Sequence, residues 1–383
     1  MEAMTPTEGH SARQPSAPLL MPAVGLAAFG ARLLEAGGCE ADEARRIADR
    51  LIVANLTGHD SHGVARIPRY VGMIESGLVV PGRHVTTVTD GGSFVLLEGT
   101  AGFGQTLGEE AVAIGCERAK DAGIAVVGLR NSGHLGRIGD WAEQAAEAGL
   151  ISIHLVNVRG RSIVAPFGTP DRRMSTSPFC IGVPWTDEPP LILDFATSMV
   201  AEGKVMVAAA GGPGLPEGAL VSPEGLPTTD PVALYGPSVA DPAPDPMLGP
   251  GALAVFGGHK GSGLNFMIEM LAGALTGGGV NRTLKDEDVK PFANSMLSIY
   301  LDPERFAGRA AFEAQVRDYA DYVRSARPAP GHAAVLLPGD KERTLRAERE
   351  RSGLPLAPGT WKSLVELGRR LGVEPGELRP RPV

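Results

Sequence analysis

The stretch FVLLEGTAGFGQTLGEEAVAIGCERAKDAGIAVVGLRN, residues 94–131, reads as a strand, a glycine-rich turn, a long helix and a buried strand. Its opening apolar run is closed by Glu98 and Gly99. From Gln105 to Ala122 apolar residues recur at three- and four-residue spacing, and Gly123 stands where a helix would stop. The run IAVVGL has the length and β-branched content of a strand. Strand and helix in alternation argue an α/β protein. The turn carries Gly102, Gly104 and Gly108, a variant of the dinucleotide fingerprint in which glycines let backbone approach a pyrophosphate at a helix N-terminus. Its spacing is loose, and the next strand ends in Arg130 where that motif wants an acid. A backbone turn is the favoured reading.

The alternation continues on both sides. Towards the N-terminus, VGLAAFGARLLEAGG (24–38) and CEADEARRIADRLIVANLTG (39–58) read as helices, the second with acidic residues in its first turn, where they suit the helix dipole. Residues 58–66 read as an irregular link, and 68–76 as a short helix opened by Pro68 and stopped by Gly77. HVTTVTDGGSFVLLEG (84–99) reads as a hairpin turning at Asp90-Gly91. Towards the C-terminus come a helix at 139–149, strands at 150–157, 179–185 and 190–196, and a helix at 198–212. Residues 211–251 are rich in Gly and Pro and read as a long surface excursion. An apolar helix (264–277), a strand (295–302), a helix (310–327), a strand running into a turn (AAVLLPGD, 333–340) and a last helix (359–373) follow.

Composition narrows the function. The 383 residues suffice for two or three domains and a large core. A formal net charge of −8 argues against nucleic acid or an anionic membrane as the main partner. Cys39, Cys116 and Cys180 are odd in number and far apart, which suits reduced, packed thiols in a cytoplasmic protein. No apolar run approaches the roughly 18 residues of a membrane span. The first twenty residues lack the basic and apolar regions of a signal peptide and read as a disordered tail.

Polar residues cluster where predicted elements end. GHDSHGVARIPRY (58–70) packs two histidines, an aspartate, a serine, two arginines and a tyrosine into thirteen positions. His59, Asp60 and His62 could be metal ligands, but neither a HExxH nor a cysteine cluster supports them, and no metal is expected. NSGHLG (131–136) follows a buried strand, where catalytic groups of α/β proteins often sit. In ILDFATS (192–198), Asp194 emerges from an apolar strand, which is costly unless the carboxylate is paired; a histidine is its natural partner. GGHKGSG (257–263) places Lys260 among glycines, suited to a phosphate or carboxylate or simply to a flexible loop. Each cluster alone is more often a cap or turn. Together they suggest acid–base chemistry on an anionic substrate, with Arg66 or Arg69 clamping its carboxylate.

An ordered series of segments resembles the malate/L-lactate dehydrogenase family of the non-Rossmann type: DSHGVARIPRYVGMIESGLVVPG (60–82), GFGQTLGEEAV (102–112), NSGHLGRIGDWAEQAAEAGLISI (131–153), VAPFGTPDRRMSTSP (164–178), LDFATSMVAEGKV (193–205), GGHKGSGL (257–264), MLAGALTGG (270–278) and LLPGDKE (336–342). The resemblance implies an α/β, non-Rossmann fold with a mixed sheet flanked by helices, working as a homodimer. It implies hydride transfer between NAD or NADP and C2 of a small 2-hydroxy or 2-oxo acid, or of a cyclic imino acid. His62 would donate or accept the proton and Asp194 would orient it, although in ureidoglycolate dehydrogenases the histidine matching His134 has that role. Ser61, Arg66 and Tyr70 would line the substrate pocket. Ser175, Thr176, Ser177, Pro178, Lys260, Gly261, Pro338, Gly339 and Asp340 would hold the cofactor.

The implied domains are a tail (1–23), a helical N-terminal domain (24–80) joined by the C-terminal segment 330–383, a catalytic segment (81–135) and a cofactor domain (136–329). Three departures from the family pattern stand out: Ser177 replaces an asparagine, Thr169 replaces a glycine, and 237–256 is long and proline-rich. A metal-dependent hydrolase built on His59, Asp60 and His62, or an inactive binding protein that keeps the fold, are the readings from other classes.

Overall fold

The computed structural model describes residues 18–209, 213–239, 244–282 and 292–382. The chain opens with β1 (Leu19–Met21), α1 (Ala23–Ala36), α2 (Ala41–Leu56) and α3 (Ile67–Glu75). Then come β2 (Thr86–Asp90), β3 (Phe94–Glu98), α4 (Gly104–Ala122), β4 (Ile124–Ser132), α5 (Gly139–Glu147) and β5 (Ile151–Arg159). The middle holds β6 (Pro178–Val183), β7 (Leu191–Ala196), α6 (Glu202–Ala209), β8 (Leu220–Val221), β9 (Pro227–Thr228), α7 (Val232–Tyr235) and β10 (Ala252–Leu253). The remainder is α8 (His259–Ile268), β11 (Ala293–Leu301), α9 (Arg309–Arg324), α10 (Asp340–Ser352), β12 (Leu354–Leu356), α11 (Pro358–Leu371) and β13 (Arg381–Pro382).

One seven-stranded mixed sheet, in the order β2-β3-β4-β11-β5-β6-β7, is the frame of the molecule. Strand β3 pairs parallel with β4 through α4, as a strand–helix–strand unit requires, and the other pairings are antiparallel. Alternation along the strands separates two faces. Val95, Val127, Leu129, Val156 and Cys180 pack with Trp141, Leu107 and Val112 beneath α4 and α5. The opposite face is also apolar. Among the described residues, its Leu155–Leu297 part packs against Ile268 of α8 and Ala272 of the π-turn Glu269–Ala274 that extends it, with Val126 and Phe179 partly buried beside them. Segments 81–135 and 136–329 both contribute strands to this sheet, so the expected boundary between them is not a boundary of the sheet.

The N- and C-terminal segments share a second core, in which Leu26, Phe29, Leu33, Ile47, Leu51 and Tyr70 meet Leu354, Leu364 and Leu378. Residues 1–17 of the expected tail lie outside the described residues. Its last part is ordered: Leu19–Met21 pairs with β12 and β13, and Met21 is fully buried. The pull of that apolar triplet into the terminal core was masked by the polar residues before it.

Two further expectations are corrected. Residues 333–337 form no strand; the chain turns at Pro338-Gly339 and enters α10, which its charged composition (DKERTLRAERERS) concealed. Residues 213–239 and 244–251 are more than an excursion. Ala219, Leu220, Leu234 and Tyr235 are fully buried against Val164, Val205 and Leu253, and the Arg172 guanidinium donates to carbonyls of Leu234, Pro246 and Gly251. A few apolar residues spaced between prolines suffice for a small core once a three-stranded sheet, β10-β8-β9, aligns them.

Candidate active site

Helix α2 ends beside a polar knot. After it the chain tightens into two 3-10 turns, Asp60–His62 and Val64–Arg66, before α3 begins. Asn55 ties this turn down: its Nδ2 donates to Asp60 Oδ1 at 2.7 Å, and its Oδ1 accepts from Val64 N–H at 2.9 Å. Gly63 is required by that approach, since a Cβ there would lie 2.1 Å from Asn55 Oδ1. The turn presents Ser61 and His62, with Ser61 Oγ 3.0 Å from His62 Nδ1. Arg66 Nε donates to Ser61 O at 2.6 Å, which anchors the guanidinium over the same turn.

The second histidine arrives from the sheet. His134 follows β4, and the N-terminus of α4 packs directly on it: a Cβ on Gly104 would lie 2.2 Å from His134 O, and one on Gly108 would strike the Trp141 ring. These glycines therefore serve helix packing, which is why they mimic a dinucleotide fingerprint without lining a cavity. The His62 and His134 rings stack with centroids 5.4 Å apart and planes within 15°. Tyr70 OH lies 2.7 Å from His134 Nδ1 and accepts from Gln105 Nε2 at 3.0 Å. Donation of the Tyr70 proton to His134 Nδ1 corresponds to the neutral imidazole with its own proton on Nε2.

Both histidines line a cavity of about 640 Å³, together with Arg66, Tyr70 and Asp194. Burial pushes the His62 pKa down to about 3, and the nearby Arg66 adds to this; burial and Arg66 likewise hold His134 well below its ordinary value. Both rings are neutral at pH 7. Tyr70 is held protonated by burial, which raises its pKa. Arg69 and Arg161 line the same cavity, Arg161 paired with Glu202 at 2.7 Å. Arg161 and Glu202 escaped the sequence reading, because Arg161 lies beyond the predicted end of its strand and Glu202 inside an ordinary helix.

Asp194 is placed differently from expectation. Its Oδ2 accepts from Gly139 N–H at 2.7 Å, capping α5, and the histidine it influences electrostatically is His59 rather than His62. His59 also lines the cavity and lies 3.9 Å from Glu342. Asp60 pairs instead with Arg349 and Asn55. Among the described residues no group of three His, Cys, Asp or Glu side chains is arranged to hold a metal ion.

Of the expected cofactor residues, Ser175, Thr176 and Pro178 line the cavity. Ser177 does not: it is fully buried and its Oγ donates to Glu269 Oε1 at 3.3 Å. Lys260 and Gly261 open α8 outside the cavity lining. Pro338-Gly339-Asp340 caps α10, with Asp340 accepting from Leu337 N–H and pairing with Arg343; the next two residues, Lys341 and Glu342, reach the cavity.

Residues 21–365 match the family described as malate/L-lactate dehydrogenase. The hydroxycarboxylate dehydrogenase B of Escherichia coli K12 is 42% identical over 340 residues, covering 88% of this chain and 90% of that one. An L-lactate dehydrogenase of Cupriavidus necator is 34% identical, covering 89% and 95%. The solved structure of a putative malate/lactate dehydrogenase from E. coli superposes with a TM-score of 0.84 at 39% identity, covering 92% of this chain and 96% of that one. The chain belongs to the malate/L-lactate dehydrogenase family.

Proposed function

We propose that this member of the family, an oxidoreductase acting on CH–OH, interconverts a small 2-hydroxy acid and its 2-oxo acid with NAD or NADP as the hydride partner. The observation that carries the reading is the stacked His62–His134 pair in a cavity that also holds Arg66 and Tyr70. An alcohol that loses hydride must lose its hydroxyl proton as well, and a neutral imidazole can accept it. With Tyr70 donating to His134 Nδ1, His134 Nε2 is a hydrogen-bond donor to the substrate oxygen and His62 is the proton acceptor in this reading. Arg66 takes the carboxylate, which offsets the positive charge that adds to burial in holding both histidines low.

The donor set suits a nicotinamide nucleotide. Ser175 Oγ is buried without a partner beside the cavity, and Lys204 and Lys341 offer charge for phosphates. Ser175, Thr176 and Pro178 would hold the ring end. When bound, the cofactor supplies the hydride acceptor or donor at C2. Ser177, turned into the core, holds this segment through Glu269 and not through the ligand.

A second copy of the chain is the partner this reading includes. Ile124 and Leu193 are 40% exposed and Phe94 48% on the part of this sheet face that no described element covers, where Ile153, Ile181 and Ile299 also stand. A solvated sheet face would carry polar residues, whereas an uncharged flat face can pair with itself about a twofold axis. The three free cysteines, all buried, suit the cytoplasm.

Replacement of His62 by alanine is expected to lower kcat/KM on its best 2-hydroxy acid by about 10²–10⁴-fold. Thermal stabilisation by NADH or NADPH should survive. Stabilisation by neither nucleotide at millimolar concentration would overturn the reading.

A further inference from the structure

His59 and Glu342 line the cavity, yet neither belongs to the stacked histidine pair. His59 opens the 3-10 turn that carries His62, whose N–H donates to His59 O at 2.8 Å. With about three residues per turn, positions three apart eclipse, so His59 and His62 leave this turn on one side. Helix α10 is strapped against the same turn. Glu342 Oε1 lies 3.9 Å from His59 Nε2, Arg349 pairs with Asp60 at 2.8 Å, and Leu345 closes on Gly58, where a Cβ would lie 2.6 Å from Leu345 Cδ1. Residues 342, 345 and 349 are spaced three and four apart, as a single helix face requires.

Oxidation of an alcohol makes a proton that must leave the site. The C2 hydride departs with its electron pair to the nicotinamide, the hydroxyl O–H bond breaks, and the proton lands on His62. Burial and the cations Arg66 and Arg137 make His62 a poor place to keep it. His134 is no outlet, because burial and three arginines depress it too. Burial also lowers His59, but three carboxylates face it from three parts of the chain and support a positive charge there. These are Asp194 of β7, Glu342 of α10 and Asp60 of its own turn, with Arg137 opposing them. Side-chain exposures of 23% for His59 and 28% for Glu342 bring this pair within reach of solvent.

We propose that His59 and Glu342 form the proton exit of the histidine pair. The proton taken by His62 passes to neutral His59, an N–H bond on one imidazole breaking as one on the other forms. It then leaves His59 through the Glu342 carboxylate to buffer. One proton enters and one leaves, so both rings return to neutral, and reduction of the oxo acid runs the relay in reverse. The inference rests on the dehydrogenase reading above and assigns a proton path within it. Helix α10 thereby serves the chemistry as well as the fold, because its strap on the turn fixes Glu342 against His59.

The test compares the full chain with His59→Gln and Glu342→Gln in dilute buffer, each oxidising the best 2-hydroxy acid of the wild type. His59→Gln is expected to lower kcat by about tenfold or more while KM changes little. Millimolar imidazole should restore most of that loss without speeding the wild type, which a merely structural defect would not allow. Glu342→Gln should lower kcat by a smaller factor. A histidine titration followed by nitrogen magnetic resonance needs no turnover. As the pH falls, His59 is expected to take its proton before His62, and to do so at lower pH in Glu342→Gln than in the wild type. Unchanged kcat in His59→Gln, a loss that imidazole does not restore, or protonation of His62 before His59 overturns the proposal. Failure to turn over any hydroxy acid with either nucleotide would count against the dehydrogenase reading instead, and the order of titration would still decide whether His59 receives the proton.

Discussion

His62 and His134 stack face to face at 5.4 Å, one presented by a 3-10 turn after α2 and the other by the end of β4. Each has its Nδ1 engaged by a different hydroxyl, Ser61 for His62 and Tyr70 for His134. Two neutral imidazoles in contact cannot both take a proton cheaply, because the first charge repels the second. The pair therefore acts as one acid–base unit with distinct halves.

Removal of the Tyr70 hydroxyl tests that division. In Tyr70→Phe, Gln105 Nε2 loses its acceptor and His134 is free to switch tautomer. The expected result is a drop in kcat of roughly 10–100-fold with KM for the hydroxy acid changed little, and an altered pH profile. A rise in KM alone, with kcat preserved, would place Tyr70 in binding only.

Acid stability follows from the buried histidines. Burial lowers the pKa of His62 and His154 to about 3 and also lowers His59 and His134. The unfolded chain then binds more protons than the folded one below an unfolded pKa of about 6.5, so stability is full above that value and falls as pH drops towards 3. Each such group costs up to about 1.4 kcal/mol per pH unit in that window. Melting temperature should fall steadily from pH 7 to pH 5. His154, held between Ser298 and Ser152, is not among the cavity-lining residues, and His154→Gln should flatten the slope without changing the pH dependence of activity.

The Asn55–Gly63 contact sets the histidine turn. Gly63→Ala should destabilise by about 2–4 kcal/mol, because the new methyl group meets Asn55 at 2.1 Å. Denaturant unfolding of the double variant Asn55→Ala/Gly63→Ala should recover part of that loss. Additive losses would show that the contact is not the cause.

Glu269, on the π-turn, is a buried carboxyl whose pKa is raised by burial; it accepts from Asn281 N–H at 2.7 Å and from Ser177 Oγ. Glu269→Gln keeps one acceptor oxygen, for Asn281 N–H, while its amide N–H can donate to Ser177 Oγ, and it should cost less than about 1 kcal/mol. Glu269→Ala strands both donors and should cost about 2–4 kcal/mol, read by chemical denaturation. It should also weaken nucleotide binding more than hydroxy-acid binding, since Ser177 sits between cavity residues Thr176 and Pro178.

Periodicity and motif order in the chain alone determined the α/β class, most helices and strands, the family, and the candidates His62, Arg66, Tyr70 and His134. Those features are local: helix and strand spacing repeat within a few residues, and the polar clusters interrupt them visibly. Tertiary structure alone decided which of the candidates meet. Asp194 caps α5 and faces His59 because the register of β7 places it beside Gly139, a distance no spacing encodes. Arg161 and Glu202 join Arg66 and Arg69 only when β5 and α6 converge on one cavity. Helix α10 was hidden because its stability does not come from a buried apolar stripe; it rests on the Arg343–Asp340 pair within it and on Arg349, which pairs with Asp60 in the turn after α2 and donates to the Asn55 carbonyl. Glycines 104 and 108 resembled a phosphate loop for the opposite reason: glycine marks any close approach of backbone, and only packing reveals that His134 and Trp141, not a phosphate, are what approach.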